Sequence, residues 1–361
     1  MSPSDTAGPS RRTVLAAAAL APAAPALARA APVADLSLNE CAWPPSPRVT
    51  RALAAEFGAL PRYADPAEAA RLAAFIARIE GVTPDQIILG NVLEPLGQFL
   101  ALRHGGGSVV YTAPGYTALV DAAAPLGARG IPVPLTAAQA NDLPALAAAI
   151  APDTRALFLV NPHNPSGTIT PTAQWHRFLG EAAQRTLVIV DEAYIEYADP
   201  AASAVALTRA GANLAVFRTF DKIHALAALP FGYAVVPAAL GQALRAAGIG
   251  DPHALSRLAI VAARAALEDG ARLAHVRAQT AAGRDRLHAA IDALGLERSR
   301  SVANFVFFRS PRGGDATRAQ LRAAGIIAAR PFPPLNDWVR VTVGTEAQVT
   351  QTIAALRRIV R

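Results

Sequence analysis

The chain of 361 residues contains one cysteine, Cys41, and few charged residues. A single cysteine cannot form an internal disulfide or a cysteine-rich zinc site, so a disulfide scaffold and a zinc ribbon are excluded. Charged residues make up 17% of the chain and hydrophobic residues 52%, a balance that excludes disorder. No uninterrupted apolar run reaches the roughly 20 residues of a membrane span, so stable membrane insertion is not expected. A globular protein remains, long enough for two domains that share a core.

Lysine is also scarce, because the 34 basic residues comprise 33 arginines and one lysine, Lys222. Arginine stays protonated at any workable pH, whereas a desolvated lysine can attack a carbonyl and form a Schiff base. Lys222 is therefore a candidate nucleophile, with chance survival of one surface lysine as the alternative. The arginines form no dense basic run, so the net charge of +7 does not predict nucleic-acid binding. The spacing of the seven histidines predicts no metal site.

The first thirty residues have the pattern of an export signal. Twin arginines, Arg11 and Arg12, precede an apolar run at 14–21 and a small-residue cleavage site at 28–30. We expect residues 1–30 to engage the twin-arginine (Tat) export machinery and to direct the protein to the periplasm. The alternative is an accidental arginine pair before a helix.

Beyond residue 31, short β-branched runs alternate with longer Ala/Leu/Arg segments of helical period. This rhythm predicts an α/β fold, with a mostly parallel central sheet covered by helices on both faces. A long helical region at 253–294 is followed by a small α+β C-terminal domain. The predicted strands are Gln86–Leu89, Ser108–Tyr111, Ala156–Val160, Leu187–Val190, Leu214–Phe217, Tyr233–Val236, Asn304–Phe308 and Val339–Val343.

Polar residues follow three of these strands. Asn164 follows Ala156–Val160, Asp191 comes directly after Leu187–Val190, and Lys222 follows Leu214–Phe217. Ligands of open α/β sheets bind at the carboxyl ends of the strands, so the three side chains are expected on one rim.

An amide, a carboxylate and a lysine in this order suit a cofactor that has an aldehyde, a ring nitrogen and a ring hydroxyl. Lysine would hold the aldehyde as an imine, and a buried carboxylate would keep the ring nitrogen protonated. Asn164 and Tyr194 would hydrogen-bond the ring oxygen. The combination indicates pyridoxal 5'-phosphate. Structural alternatives stay open: Asn164 as a turn residue, Asp191 as a helix N-cap and Tyr194 as a core aromatic.

With these residues, the chain resembles the fold type I pyridoxal-phosphate aminotransferases of class I/II, in the histidinol-phosphate aminotransferase-like branch. The resemblance covers nearly all of residues 36–360. Its most specific motifs are NPHNPSGT at 161–168, DEAY at 191–194, and RTFDK with LAALPFGY at 218–233. Weaker matches are LSLNE at 36–40, RYADP at 62–66, PGY at 114–116, ANF at 303–305 and RVTVGT at 340–345.

The resemblance implies a transaminase that moves an amino group between an amino acid, or a related amine, and a 2-oxo acid through a Schiff base on Lys222. It also implies a homodimer with shared active sites. The contacts it implies are Asp191 at the ring nitrogen; Asn164 and Tyr194 at the ring hydroxyl; Tyr116 on the ring face; Thr219 and the partner subunit's Tyr63 at the phosphate; and Arg340, Arg330 and Asn39 at the substrate.

By the same resemblance, residues 31–60 form an N-terminal arm and part of a small domain. Residues 61–250 form the large cofactor-binding domain, and residues 251–361 form a connecting helix and the rest of the small domain.

The chain departs from the family pattern around the cofactor phosphate. Asn91–Glu94 replace a Gly/Ser-rich turn, Asp221 replaces a serine, and Pro230 replaces an arginine. We expect weaker phosphate binding, with backbone N–H groups at 92–94, Thr219, Tyr63, and His224 or Arg218 as the remaining contacts.

Two alternatives to a transaminase therefore stay open. One is another reaction of the same cofactor, catalysed by a lyase, racemase, decarboxylase or oxidase, and the other is an exported non-catalytic relative with weakened cofactor binding. Histidine biosynthesis is cytoplasmic, so the predicted export signal argues against histidinol phosphate as the physiological substrate.

Overall fold

The computed structural model describes residues 33–360. The predicted export signal at 1–30 lies outside the described residues. Among the helices within residues 33–360, none combines the length and hydropathy of a membrane span. The strands are β1 (Ala34–Asp35), β2 (Ile87–Leu89), β3 (Gly107–Ala113), β4 (Ala128–Pro134), β5 (Thr154–Val160), β6 (Leu187–Asp191), β7 (Leu214–Thr219), β8 (Gly232–Val235), β9 (Phe305–Arg309), β10 (Ile326–Ile327) and β11 (Trp338–Thr342).

Helices alternate with these strands along most of the chain. They are α1 (Pro47–Glu56), α2 (Pro66–Glu80), α3 (Leu93–His104), α4 (Ala118–Ala123), α5 (Leu143–Ala149), α6 (Thr172–Ala183), α7 (Val205–Arg209), α8 (Ala238–Ala246), α9 (Arg257–Leu267), α10 (Gly270–Ala293), α11 (Gly314–Ala323) and α12 (Glu346–Val360). The predicted helical region at 253–294 is thus divided into α9 and α10. A new helix begins there because the side chain of Asp269 caps it, accepting a 3.1 Å hydrogen bond from the Arg272 N–H.

Strands β2 to β8 form one sheet in the order β2-β8-β7-β6-β5-β3-β4. The pairs from β7 to β4 are all parallel, and β8 is antiparallel to both β7 and β2. The predicted mostly parallel sheet is confirmed. Asp191 pairs with Val160 on one side and with Phe217 on the other. This register aligns the carboxyl ends of β5, β6 and β7, so the residues that follow them meet at one edge.

Both faces of the sheet are apolar and covered. Val188 and Val190 of β6 face a core that includes Trp175 of α6, whereas Ile189 faces a core that includes Leu96 of α3. Successive residues of a strand point to opposite faces, so a strand buried on both faces is a continuous apolar run. The predicted helices on both faces are therefore confirmed.

The C-terminal elements form a separate apolar core. β9 and β11 pair in antiparallel fashion, and β1 pairs with β10 in parallel, which brings the N-terminal residues into this layer. Buried residues of both regions contact each other there, including Leu36, Leu287, Val341 and Leu356. The domain boundaries expected from the sequence stay a prediction.

Candidate active site

A cavity of about 500 Å³ lies at the carboxyl ends of β5, β6 and β7. It is lined by every site residue expected from the sequence except Tyr63, namely Asn39, Tyr116, Asn164, Asp191, Tyr194, Thr219, Lys222, Arg330 and Arg340. Tyr63 lies elsewhere, with 81% of its surface exposed, in edge contact with the ring of His253. The sheet register thus collects side chains that are far apart in the sequence.

Lys222 reaches the cavity because of how β7 ends. Phe220 follows β7, is buried and stacks on Phe231 with ring centroids 5.9 Å apart, which anchors the turn. Lys222, two residues after Phe220, is only partly buried. Its Nζ donates a 3.4 Å hydrogen bond to the Leu38 carbonyl. This contact is long, so the amine has spare capacity to bond a ligand.

Asp191 is the last residue of β6 and is 6% exposed. Burial raises the pKa of its carboxyl to about 6, and the charges of Glu192 and Glu94 act in the same direction. A 2.9 Å hydrogen bond from the Ala193 N–H and the charge of Lys222 oppose the shift. A carboxylate held in this way is stabilised by a cationic partner, such as a protonated ring nitrogen.

The hydroxyl of Tyr194 lies between two amide side chains. Nδ2 of Asn39 donates to it at 3.0 Å, and Nδ2 of Asn164 donates at 3.5 Å. Asn39 is 1% exposed and also accepts a 3.3 Å hydrogen bond from the Thr342 hydroxyl. Its side chain is therefore held by two protein groups, although the sequence suggested a substrate contact.

Arg340 is 6% exposed and lies between two aromatic rings, 5.3 Å from the centroid of Phe305 and 5.0 Å from that of Phe332. Its guanidinium donates to Oδ1 of Asn164 and, at 2.7 Å, to the Ser37 carbonyl. Its buried Nε has no protein partner among the described residues. Burial lowers the pKa of this guanidinium to about 10, so a bound anion would stabilise its charge.

Arg330 lines the same cavity but is differently held. Its guanidinium lies 5.0 Å from the centroid of Phe332, and it donates a 3.0 Å hydrogen bond to the neighbouring Pro331 carbonyl. Because the side chain is exposed, it stays free to meet a second anionic group of a ligand.

Arg218, expected as a substitute phosphate contact, is engaged elsewhere. Its guanidinium is 2.9 Å from Glu192, 3.4 Å from Glu196 and 3.6 Å from Glu80. Three carboxylates around one guanidinium leave no charge for a phosphate. His224 is no better suited, because it does not line the cavity and burial lowers its pKa to about 4, which makes it neutral. Arg218 does line the cavity, but carboxylates hold its guanidinium, whereas His224 does not line it.

Sequence reasoning missed three residues that shape the cavity. Phe332 stacks near both Arg330 and Arg340, the Leu38 carbonyl accepts from Lys222, and Tyr233 lines the wall beside Arg218. Phe332 and Leu38 each lie within two residues of a recognised site residue, and this adjacency was the available signal.

Comparison with known proteins decides the family. The model of the family "Aminotransferase class I and II" matches residues 31–356. The chain belongs to this family. Class I/II aminotransferases of fold type I depend on pyridoxal phosphate, and the buried Asp191, the amide-bonded Tyr194 and Lys222 fit the ring and aldehyde of that cofactor. The protein is therefore a pyridoxal-phosphate-dependent aminotransferase.

Relatives with different names support the same assignment. The aminotransferase is 35% identical over 325 residues to histidinol-phosphate aminotransferase 2 of Caulobacter vibrioides, covering 89% of this chain and 85% of that protein. It is 38% identical over 315 residues to the aromatic amino acid aminotransferase of Thermobifida fusca, covering 86% of each chain. The crystal structure of histidinol-phosphate aminotransferase from Sinorhizobium meliloti, in complex with pyridoxal 5'-phosphate, superposes with a TM-score of 0.82 at 30% identity, covering 91% of each chain.

Proposed function

We propose that the cavity around Lys222 is where an amino acid gives up its amino group and a 2-oxo acid receives it. The observation that carries this proposal is the convergence of the chain's only lysine, the buried Asp191 and the buried Arg340 on one cavity of about 500 Å³. These three residues come from separate parts of the sequence. Each of their side chains can still bind a ligand.

The roles of the cofactor-facing residues follow from their surroundings. Asp191 would pair with the ring nitrogen, and Asn164 and Tyr194 would bond the ring hydroxyl. Tyr116 would lie on the ring face, and its hydroxyl stays protonated because burial and then the charge of Asp191 raise its pKa. When bound, the cofactor supplies an electron sink for a carbanion at the substrate Cα.

Lys222 would hold the cofactor aldehyde at rest and, once released, would move a proton at the substrate Cα. Within residues 33–360, its Nζ has one hydrogen bond, to the Leu38 carbonyl, so it is free to approach the reacting carbon. Arginine cannot replace it in either task, since a guanidinium does not deprotonate.

Arg340 would bind the carboxylate that both substrates carry. A guanidinium matches a carboxylate with two parallel hydrogen bonds, and the orphaned Nε of Arg340 is a donor that such a pairing would use. Arg330 would contact a second anionic group or the far end of the side chain. The proposed substrates are an amino acid and a 2-oxo acid, and the cavity has room for a large side chain on either.

We propose a homodimer in which the partner subunit's Tyr63 completes the cofactor site. Three large apolar side chains near one another in the sequence, Phe57, Leu60 and Tyr63, are 58%, 60% and 81% exposed. Several large apolar side chains left exposed on one short segment favour association. Light scattering should give the mass of a dimer, and Tyr63→Phe should weaken cofactor binding without changing that mass. A monomer at micromolar concentration would contradict the proposal.

Export by the twin-arginine route to the periplasm is proposed from residues 10–30. Cell fractionation should find the protein in the periplasm, and Arg11→Lys with Arg12→Lys should retain it in the cytoplasm. Equal periplasmic amounts of both forms would contradict this route.

The reaction is tested with purified protein, saturating cofactor, a panel of amino acids and several 2-oxo acids. Amino transfer should yield a new 2-oxo acid and a new amino acid in equal amounts, and Lys222→Arg should abolish both. Ammonia, a racemised donor or an amine as the main product would instead favour one of the alternative cofactor reactions. No turnover with any donor would favour the non-catalytic relative.

A further inference from the structure

The cavity carries an acidic wall, formed by Glu94, Asp191 and Asp221. Tyr116 lines the same cavity, where burial and then the charges of these three carboxylates raise its pKa. Asp191 has an assigned partner in the proposed function, the ring nitrogen of the cofactor. Glu94 and Asp221 have none, and they leave two acidic groups in a site that takes an anionic cofactor.

The best anion-binding element beside this wall is the N-terminus of α3. The helix has twelve residues and begins at Leu93, and Val92 before it provides no side-chain cap. Free N–H groups and the helix dipole favour an anion at such an end, which is where the cofactor phosphate would lie. However, Glu94 belongs to the same first turn, so negative charge is already present there.

Two side-chain donors that line the cavity, Thr219 and Arg218, are already engaged. The hydroxyl of Thr219 donates to the Phe231 carbonyl at 3.4 Å and accepts from the Asp221 N–H at 3.0 Å. The carboxylate of Asp221 accepts a 3.4 Å hydrogen bond from the Phe231 N–H, which fixes it in the cavity wall. Arg218 is neutralised by its carboxylate partners. The phosphate would meet backbone N–H groups, the Asn91 side chain, the partner subunit's Tyr63 proposed above and two carboxylates.

We infer that this site recognises its cofactor through the ring and the aldehyde, and gains little affinity from the phosphate. The inference rests on the proposed function, because it takes Asp191 and Lys222 as the ring and aldehyde contacts. A phosphate monoester carries a charge of about −1.5 to −2 at neutral pH, so like charges offset the attraction of the helix end. The unphosphorylated form of the cofactor should therefore bind almost as tightly as the phosphorylated form.

The test compares 4'-deoxypyridoxine with 4'-deoxypyridoxine 5'-phosphate. Neither compound has an aldehyde, so neither can bond Lys222 or form an internal hemiacetal, and the phosphate is the only difference between them. Calorimetric titration of the cofactor-free protein at pH 7.5 gives both dissociation constants. We expect the two constants to lie within about tenfold of each other, which corresponds to about 1.4 kcal/mol or less. Binding of the phosphorylated compound more than about 100-fold tighter would overturn the inference.

The variant that tests the residues is Asp221→Ser combined with Pro230→Arg. Position 230 precedes Phe231, whose N–H contacts Asp221, so the new arginine is one residue from the backbone group that holds the removed carboxylate. The preference for the phosphorylated compound should rise at least about tenfold, because the variant replaces charge repulsion with charged hydrogen bonds to the phosphate. Glu94→Gln should raise the same preference by a smaller factor.

A matched control is Asp285→Ser combined with Gln184→Arg. This variant makes the same change in net charge at two exposed residues that do not line the cavity. It should leave the ratio of the two constants unchanged, and thermal melting should show that both double variants fold. An equal rise in both double variants would overturn the inference, because the effect would then come from overall charge.

The two proposals fail in distinguishable ways. Strong preference of the unaltered protein for the phosphorylated compound would overturn the inference and leave the proposed function intact. Failure of both compounds to bind would overturn the inference and the proposed ring contacts together.

Discussion

Nδ2 of Asn39 donates a 3.0 Å hydrogen bond to the hydroxyl of Tyr194, across 155 residues of sequence. Asn39 has a φ of 57°, a left-handed conformation that asparagine adopts more readily than most residues. This bond ties the N-terminal segment to the wall of the cavity. The tyrosine proposed to bond the ring hydroxyl thus depends on a residue that precedes the central sheet.

Asn39→Ala should lower the free energy of unfolding by about 2 kcal/mol, from a lost buried hydrogen bond and from left-handed strain. Asn39→Gly removes the same bond without the strain, so it should cost less than Asn39→Ala. Urea unfolding measures both. A larger loss in the glycine variant would show that the backbone conformation is not under strain in the alanine variant.

Asp191→Asn should stabilise the cofactor-free protein at pH 8 and leave it unchanged at pH 4. Burial raises the pKa of Asp191 from 3.8 to about 6, so the native state binds the proton more tightly than the unfolded state does. Stability from this group is therefore lost as pH rises between these values, by an amount on the order of 2–3 kcal/mol.

The cofactor should make the unaltered protein more stable than Asp191→Asn, the reverse of the order without cofactor at pH 8. Added pyridoxal phosphate should raise the melting temperature of the unaltered protein much more than that of Asp191→Asn, because the amide offers no charge to the ring nitrogen. A difference between the two cofactor-free proteins that does not change with pH would contradict the role of burial.

Arg218→Met should destabilise the protein by about 3–5 kcal/mol, since it leaves buried carboxylates without a counter-charge.

Glu196→Gln, which removes one of the carboxylates around Arg218, should have a different effect. Burial raises the pKa of Glu196 to about 7 against the opposing charge of Arg218, so this carboxyl loses native stability as pH rises from 4.5 to about 7. The glutamine variant should match the unaltered protein at pH 5 and exceed it at pH 8. Denaturant unfolding at pH 5 and pH 8 measures the free energy of unfolding of Arg218→Met and Glu196→Gln. Equal losses of stability in the two variants would refute the ion network.

Arg340→Lys should raise the KM for amino acid donors by about 10- to 100-fold, because lysine keeps the charge but loses the paired hydrogen bonds. An amine that lacks the carboxylate serves as the control donor, and its kcat/KM should change little. Steady-state kinetics with both donors decide the matter. Equal losses for the two donors would place Arg340 in a structural role.

The sequence could predict the rim of the cavity because its signal is local. An apolar strand that changes abruptly to a polar residue, as Val190 does at Asp191, marks both the strand end and the candidate site. Strand β4 was not predicted, because Ala128–Pro134 contains a glycine and two prolines, which disfavour strands. It forms nevertheless as the edge strand beside β3, where a missing N–H is tolerated.

Contacts that join distant segments could not be predicted. Glu80 and Arg218 are separated by 138 positions, and no local pattern reports that the guanidinium is held by carboxylates instead of a ligand. The same holds for the Lys222 contact with the Leu38 carbonyl, since a backbone acceptor has no sequence signature. Sequence resemblance supplied residue types and order, and only the fold shows which of them are already engaged.

The most direct test of the account is to reduce the cofactor-loaded protein with borohydride and map the modified peptide. Lys222 carries the only side-chain amine, so mapping needs only to separate it from the N-terminus. The account predicts a stable pyridoxyl group on Lys222, absent from Lys222→Arg. Modification of the N-terminus alone, or no modification at saturating cofactor, would contradict it.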